Sequence, residues 1–123
     1  MSWTIKSIPS QRGRNVLITG ANSGLGFETA KALLSKGASV ILGCRSYTKA
    51  EKTRKELRKE INSGNLELLE IDLSDLKAVD LASNQISDKF QELNLLINNA
   101  GVMAPPRTCS KQGFELQFAV NHL

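Results

Sequence analysis

Little in this chain can coordinate, cross-link or stack. Its 123 residues include two cysteines, one histidine, one tyrosine and one tryptophan, and aromatics make up 5%. Cys44 and Cys109 stand far apart with no histidine close by, so neither a disulfide framework nor a structural zinc site is expected. The thiols read as those of a reduced, cytosolic protein. No apolar run exceeds a handful of residues, so no segment is long enough to span a bilayer. Residues 1–14 carry no apolar stretch of the kind a secretory signal needs. The shortage of aromatics also counts against nucleic acid as a partner, since that calls for interleaved aromatics or a basic stripe over several elements.

What is present is an ordinary globular mixture, 41% hydrophobic and 23% charged. The length allows one domain, which at this size buries roughly two-thirds of its unfolded surface. The net charge of +4 is concentrated between Lys49 and Glu60. There six bases (Lys49, Lys52, Arg54, Lys55, Arg58, Lys59) meet three acids (Glu51, Glu56, Glu60). Pairs such as Glu51 with Lys55 and Lys52 with Glu56 fall at helical i,i+4 spacing, the mark of a solvated helix face.

The pattern alternates. Residues 1–13 have no clear period and read as an irregular lead-in. Val16 to Thr19 is a short apolar run bounded by Gly20, which predicts a buried strand. A helix follows from Gly24 to Lys36, with Ala30, Leu33 and Leu34 on one face and Gly37 ending it. Ala38 to Gly43 predicts a second strand. The charged helix comes next, with Ala50, Arg54, Leu57 and Ile61 on one face and Ser63-Gly64-Asn65 closing it. Leu66 to Ile71 predicts a third strand. Ser74-Asp75 reads as the cap of a helix carrying Leu76, Val79, Ile86 and Phe90. Leu95 to Asn98 predicts a fourth strand, followed by a loop with Pro105-Pro106 and an amphipathic segment from about Gly113 onward. Strands alternating with helices imply an α/β fold, a parallel sheet with helices on both faces.

The sharpest local signal is Thr19-Gly20-Ala21-Asn22-Ser23-Gly24-Leu25-Gly26, which leaves the first strand and opens the first helix. Such a helix start offers unpaired N–H groups and the positive end of the helix dipole. Glycines there let the backbone approach a pyrophosphate with no Cβ in the way. The rival phosphate cradle needs a lysine after its second glycine, and none follows here. A dinucleotide is therefore the expected ligand. At the end of the second strand, Gly43-Cys44-Arg45-Ser46 has no carboxylate to accept a ribose 2′-hydroxyl. Arg45 can instead pair with a 2′-phosphate, which favours NADP(H) over NAD(H); Lys49 adds to the field.

Together with Asp72-Leu73 and Asn98-Asn99-Ala100-Gly101, this glycine loop resembles the short-chain dehydrogenase/reductase family. The resemblance covers essentially the whole chain. Gly24 to Ala30, Cys44-Arg45 and Val120-Asn121-His122-Leu123 look most like its retinol-dehydrogenase-like branch. It implies a Rossmann-type doubly wound sheet, with residues 14–123 as an NADP(H)-binding half-domain that stops after the fourth strand and the start of the next helix. The implied roles run residue by residue. Gly20, Gly24 and Gly26 hold the pyrophosphate, lined by Ser23 and Leu25. Asp72 accepts from the adenine amino group and Leu73 lies against the base. Asn99, Ala100 and Gly101 line the cofactor cleft, and Asn98 braces the central strands. Asn121 matches the asparagine of the family's proton relay.

The family's reaction moves a hydride between nicotinamide and an alcohol or carbonyl carbon, with a tyrosine moving the proton, a lysine four residues on and a serine. Here the only tyrosine, Tyr47, is followed at that spacing by Glu51, and it lies toward the adenine side. The 123 residues alone are therefore expected to be catalytically incomplete. His122 as a substitute acid reads more simply as an ordinary helix histidine, and Cys109 as a redox nucleophile has no visible basic partner. The fourth strand is expected to expose an edge open to self-association, and Phe114, Leu116, Phe118, Val120 and Leu123 to have little to pack against. Two further uses of the same motifs stand beside this one. The first is a non-catalytic nucleotide-binding or interaction module; the second is a chlorophyll-pathway reductase, which needs the same tyrosine and lysine.

Overall fold

Four short runs of apolar residues become strands that are hydrogen-bonded side by side: β1 (Asn15–Thr19), β2 (Ser39–Cys44), β3 (Asn65–Glu70) and β4 (Leu95–Ile97). All pairings are parallel and the spatial order is β3-β2-β1-β4. The structure is a computed structural model and describes residues 3–22, 24–101 and 107–123. The crossovers are α1 (Gly24–Ser35), α2 (Tyr47–Glu60) and α3 (Leu76–Lys89), and α4 (Leu116–Asn121) follows β4. Chain order steps outward from β1 to β2 and β3, then returns to the other side of β1 as β4. The reversal leaves a crevice above the carboxyl ends of β1 and β4, where open α/β sheets bind ligands.

Alternate residues of the central strands face opposite layers. Val16, Ile18, Val40 and Leu42 pack with Ala30, Leu33, Leu34, Ala50 and Leu57 of α1 and α2. Leu17 and Ile41 point the other way, to Leu69, Ile71 and Ala82, with Val79 and Ile86 of α3 packed against them. Both faces of β1 and β2 are thus covered, which is why these strands read as continuous apolar runs.

Local details depart from the sequence reading in four places. The lead-in contains a 3-10 turn, Ile5–Ser7, closed by Ser7 N–H to Thr4 O at 2.8 Å and Thr4 N–H to Ser7 Oγ at 3.1 Å. On α2 the core-facing residue is Thr53, not Arg54. The Thr53 hydroxyl donates to Lys49 O at 3.0 Å, so it carries no unsatisfied polar atom inward. Arg54 instead clasps Glu51 through both carboxylate oxygens at 2.7 and 2.9 Å. β4 ends at Ile97 rather than Asn98. Finally, α4 starts at Leu116, because residues 108–115 fold back on themselves. Ser110 N–H donates to Phe114 O at 2.7 Å, Leu116 N–H donates to Thr108 O at 3.0 Å, and Glu115 caps the helix.

The segment after β4 finds more to pack on than its composition implied. Leu116 and Val120 are half-buried against the strand ends. Phe114, Phe118 and Leu123 remain exposed, although Phe118 stacks on His122 at 5.3 Å and meets Phe114 at 6.5 Å. Among the described residues no strand pairs with the outer edge of β4, and Leu96 is exposed there. No helix among the described residues is long and apolar enough to cross a membrane. The Pro105-Pro106 loop lies outside the described residues.

Candidate dinucleotide site

The site begins where β1 runs out. Gly20 N–H donates to Gly43 O at 2.9 Å, carrying the sheet ladder one residue beyond Thr19. Gly20 then turns with φ +67°, and a Cβ on it would sit 2.7 Å from the Ala100 Cα. Gly26 is pressed just as closely: a Cβ there would collide with the Asn99 side-chain amide and lie 2.9 Å from Gly20 O. These two contacts are why glycine is required, since the loop, the start of α1 and the segment after β4 meet backbone to backbone.

Thr19 ties the same three pieces together. It is 5% exposed. Its hydroxyl accepts from Asn99 N–H at 3.2 Å and Ala100 N–H at 3.1 Å and reaches Ile97 O at 3.5 Å. The Asn99 side-chain amide donates to Gly20 O at 3.1 Å. Bracing of the central strands therefore falls to Thr19 and Asn99. Asn98 is exposed and lines the adjoining groove beside α3, which shares Ile71, Leu73, Ala100 and Val120 with the cleft, so its expected bracing role is not observed. A threonine at a strand end carries no distinctive signal, and only the spatial neighbourhood of residues about 80 positions away reveals it.

Above this junction opens a cleft of about 370 Å³. Gly20 and Asn22 form its floor, Gly43 to Arg45 one wall and Ile71 to Ser74 the next, while Ala100, Gly101, Leu116 and Val120 close it. Gly20, Arg45, Asp72, Leu73, Ala100 and Gly101 thus line one cleft, with Gly26 and Asn99 directly behind them. Gly24 turns with φ +61° at the exposed start of α1, and Leu25 is exposed beside it; neither lines the cleft. Ser23 lies outside the described residues. Asn121 approaches the far end, where a Cβ on Gly101 would lie 3.2 Å from its Oδ1. Nothing in their local sequence marks Leu116 and Val120 as lining residues, because their place depends on the fold-back of residues 108–115.

The rim is polar and mixed in charge. Arg45 is exposed at the mouth. Asp72 Oδ1 accepts from Ser74 N–H at 2.9 Å and Ser74 Oγ at 2.6 Å, which fixes the turn carrying Leu73. Cys44 is buried in the wall, and burial pushes its thiol pKa up, partly offset by a hydrogen bond from the Ala21 N–H. A protonated, buried thiol is a packing group here and not a nucleophile. The volume and the glycine-lined approach suit a nucleotide, with backbone amides at the α1 start available to phosphate oxygens.

Comparison with known proteins agrees with this geometry. The family model described as short chain dehydrogenase matches residues 14–123. Mouse (Mus musculus) retinol dehydrogenase 14 is 45% identical over 90% of this chain and 36% of its own length. The chain spans about a third of the length of the curated relatives it matches. A crystal structure of an uncharacterized protein from Mycobacterium Paratuberculosis superposes with a TM-score of 0.83 at 40% identity, over 99% of this chain and 42% of that one. RhlG of Pseudomonas aeruginosa, solved as an NADP active-site complex, gives a TM-score of 0.68 at 29% identity over 76% and 36% of the two chains. An oxidoreductase from Haemophilus influenza with bound NAD also gives 0.68, at 27% identity over 81% and 35%.

Proposed function

The chain belongs to the short-chain dehydrogenase family, and on that footing we propose that it is the NADP(H)-binding N-terminal part of an oxidoreductase acting on alcohol or carbonyl substrates. The observation that carries this reading is the double glycine contact, Gly20 on Ala100 and Gly26 on Asn99, which opens a cleft at the strand ends for a dinucleotide.

Bound NADP(H) supplies the hydride chemistry; the residues of this chain bind and orient it. The Gly20 turn and the start of α1 would present N–H groups to the pyrophosphate, with Gly26 letting α1 close on Gly20 and Asn99 behind them and Gly24 supplying the left-handed turn at the helix start. Asp72 and Leu73 hold the adenine end, and Leu116 and Val120 exclude water from the opposite wall. Arg45 meets the 2′-phosphate, and no acidic side chain follows β2 before Glu51 to oppose it. Asn99, Ala100 and Gly101 would line the path to the nicotinamide end, and Asn121, whose Oδ1 approaches Gly101, would serve the proton relay.

Proton transfer is the part these residues do not supply. A tyrosine titrates near ~10 and needs a neighbouring cation to work near neutral pH, and Tyr47 has Glu51 where the lysine would stand. The 123 residues alone therefore bind cofactor without turning over. Two measurements test the proposal. Equilibrium titration should give tighter binding of NADPH than NADH, and Arg45→Ala should weaken NADPH by about tenfold or more while leaving NADH unchanged. Equal affinity for both cofactors, or no effect of Arg45→Ala, would overturn the 2′-phosphate assignment. Carbonyl reduction by the 123-residue chain, surviving Asn121→Ala, would show that the chemistry lies elsewhere.

A further inference from the structure

The two long walls of the cleft belong to elements that are far apart in sequence. The Asp72–Ser74 turn leads into α3, while Leu116 and Val120 sit on α4. One side chain bridges them. Asp75 caps α3, with Oδ1 accepting from Lys77 N–H at 3.0 Å. The same Oδ1 accepts from the Gln112 side-chain amide at 2.9 Å, and Gln112 Oε1 in turn accepts from Leu76 N–H at 3.1 Å. Lys111 Nζ stands 3.4 Å from Asp75 Oδ2. On the α3 side the clasp is one step from the adenine wall, because Asp75 N–H donates to Asp72 O at 3.0 Å. On the other side, Gln112 lies inside the hydrogen-bonded fold-back of residues 108–116, which runs directly into the first turn of α4.

We propose that Asp75 and Gln112 are positioning residues for the cofactor cleft: their reciprocal clasp sets the separation between the wall that carries Asp72 and Leu73 and the wall that carries Leu116 and Val120. This rests on the dinucleotide reading and assigns the clasp a part in it. A helix cap alone needs only the Lys77 N–H. Here the chain adds an amide that donates to the cap carboxylate and accepts from the next free N–H of the same helix. Two reciprocal hydrogen bonds fix both distance and angle, where one would leave a hinge. The ligand part governed by this spacing is the adenosine end, which the two walls enclose.

The test uses the unaltered 123-residue chain and 2′,5′-ADP, a probe that contains the adenosine end and no nicotinamide. Gln112→Ala leaves the Asp75–Lys77 cap in place and removes only the clasp. It should weaken 2′,5′-ADP by about tenfold with the thermal midpoint close to that of the parent. Asp75→Asn, with Gln112 intact, keeps an acceptor oxygen for both Lys77 N–H and the Gln112 amide and should retain binding to within about threefold of the parent, whereas Asp75→Ala, which removes that oxygen, should lose as much as Gln112→Ala. Lys111→Met, at an exposed position, tests the ionic arm separately and should change affinity little. If the parent binds 2′,5′-ADP and Gln112→Ala binds it equally well, the positioning role is overturned and the dinucleotide reading stands. If the parent binds neither 2′,5′-ADP nor 5′-ADP, which lacks the 2′-phosphate, the dinucleotide reading fails and the positioning role fails with it; if it binds 5′-ADP alone, only the 2′-phosphate assignment fails and the Gln112→Ala comparison is read with 5′-ADP.

Discussion

Gly26 has no room for even a methyl group, and its neighbours are the ones a cofactor would lie over. Gly26→Ala must displace the Asn99 amide from Gly20 O. A cost of about 1–3 kcal/mol is expected from such overpacking, read as a lower thermal midpoint together with loss of cofactor binding. Gly13→Ala is the control, because a Cβ there meets nothing within 4 Å, although φ +80° still strains it. The two cysteines separate by environment. Cys109 is exposed, while Cys44 is buried with its thiol pKa pushed up. Iodoacetamide at neutral pH should therefore modify Cys109 first, as mapped by peptide mass analysis; faster labelling of Cys44 would contradict the packing role. The Asp75 carboxyl is held below the usual carboxylate range, chiefly by the hydrogen bond from Gln112, with the Lys77 N–H and Lys111 helping and desolvation opposing. A depressed folded value means the contribution is complete above the unfolded carboxylate pKa, about 3.9, and is lost as pH falls through the lower folded value. Thermal midpoints of the parent and Asp75→Ala should accordingly converge on acidification through that window.

At the scale of elements, legibility tracked how local the cause was. β1 and β2 were readable because burial on both faces demands unbroken apolar runs. The register of α2 was not, since Thr53 reaches the core by satisfying its hydroxyl on Lys49 O, a bond invisible to a hydropathy count. Gly20, Gly26 and Arg45 could be picked out because glycine and charge at strand ends are unusual and have few uses, while Asp72 was marked only by the family resemblance. Thr19, Leu116, Val120 and Gln112 could not, because each acts through a partner tens of residues away. The helix layers make a direct prediction. Leu57 is wholly buried beneath α2, and Leu57→Ala should cost about 2–5 kcal/mol in denaturant unfolding. Leu81 on α3 is 63% exposed, and Leu81→Ala should stay within about 0.5 kcal/mol.

For the molecule as a whole, the charge excess and the composition carry little of the function. Most of the positive charge lies on one solvated helix, where Arg54 pairs with Glu51 and Arg58 caps the helix end through the carbonyls of Ile61, Ser63 and Gly64. The consequential feature is asymmetry. One sheet edge, β3, is flanked by α2 and ion-paired through Glu67 to Lys89, whereas β4 presents Leu96 and no partner strand among the described residues. An apolar edge of this kind favours pairing with another chain. Sedimentation of the 123-residue chain should therefore show mass rising with concentration, and Leu96→Lys should suppress it; a strictly monomeric parent over the same range would contradict self-association.

The proposed function turns on a dinucleotide binding at the strand ends between Arg45, Asp72 and Ala100. Titrating isotopically labelled chain with NADPH while following backbone amide resonances tests it most directly. Saturable shifts are expected at Gly20, Asn22, Gly43 to Arg45, Leu73, Ser74, Ala100 and Gly101, with α2 beyond its first turn unmoved. Absence of saturation, or shifts centred on the groove between α3 and β4 instead, would contradict it.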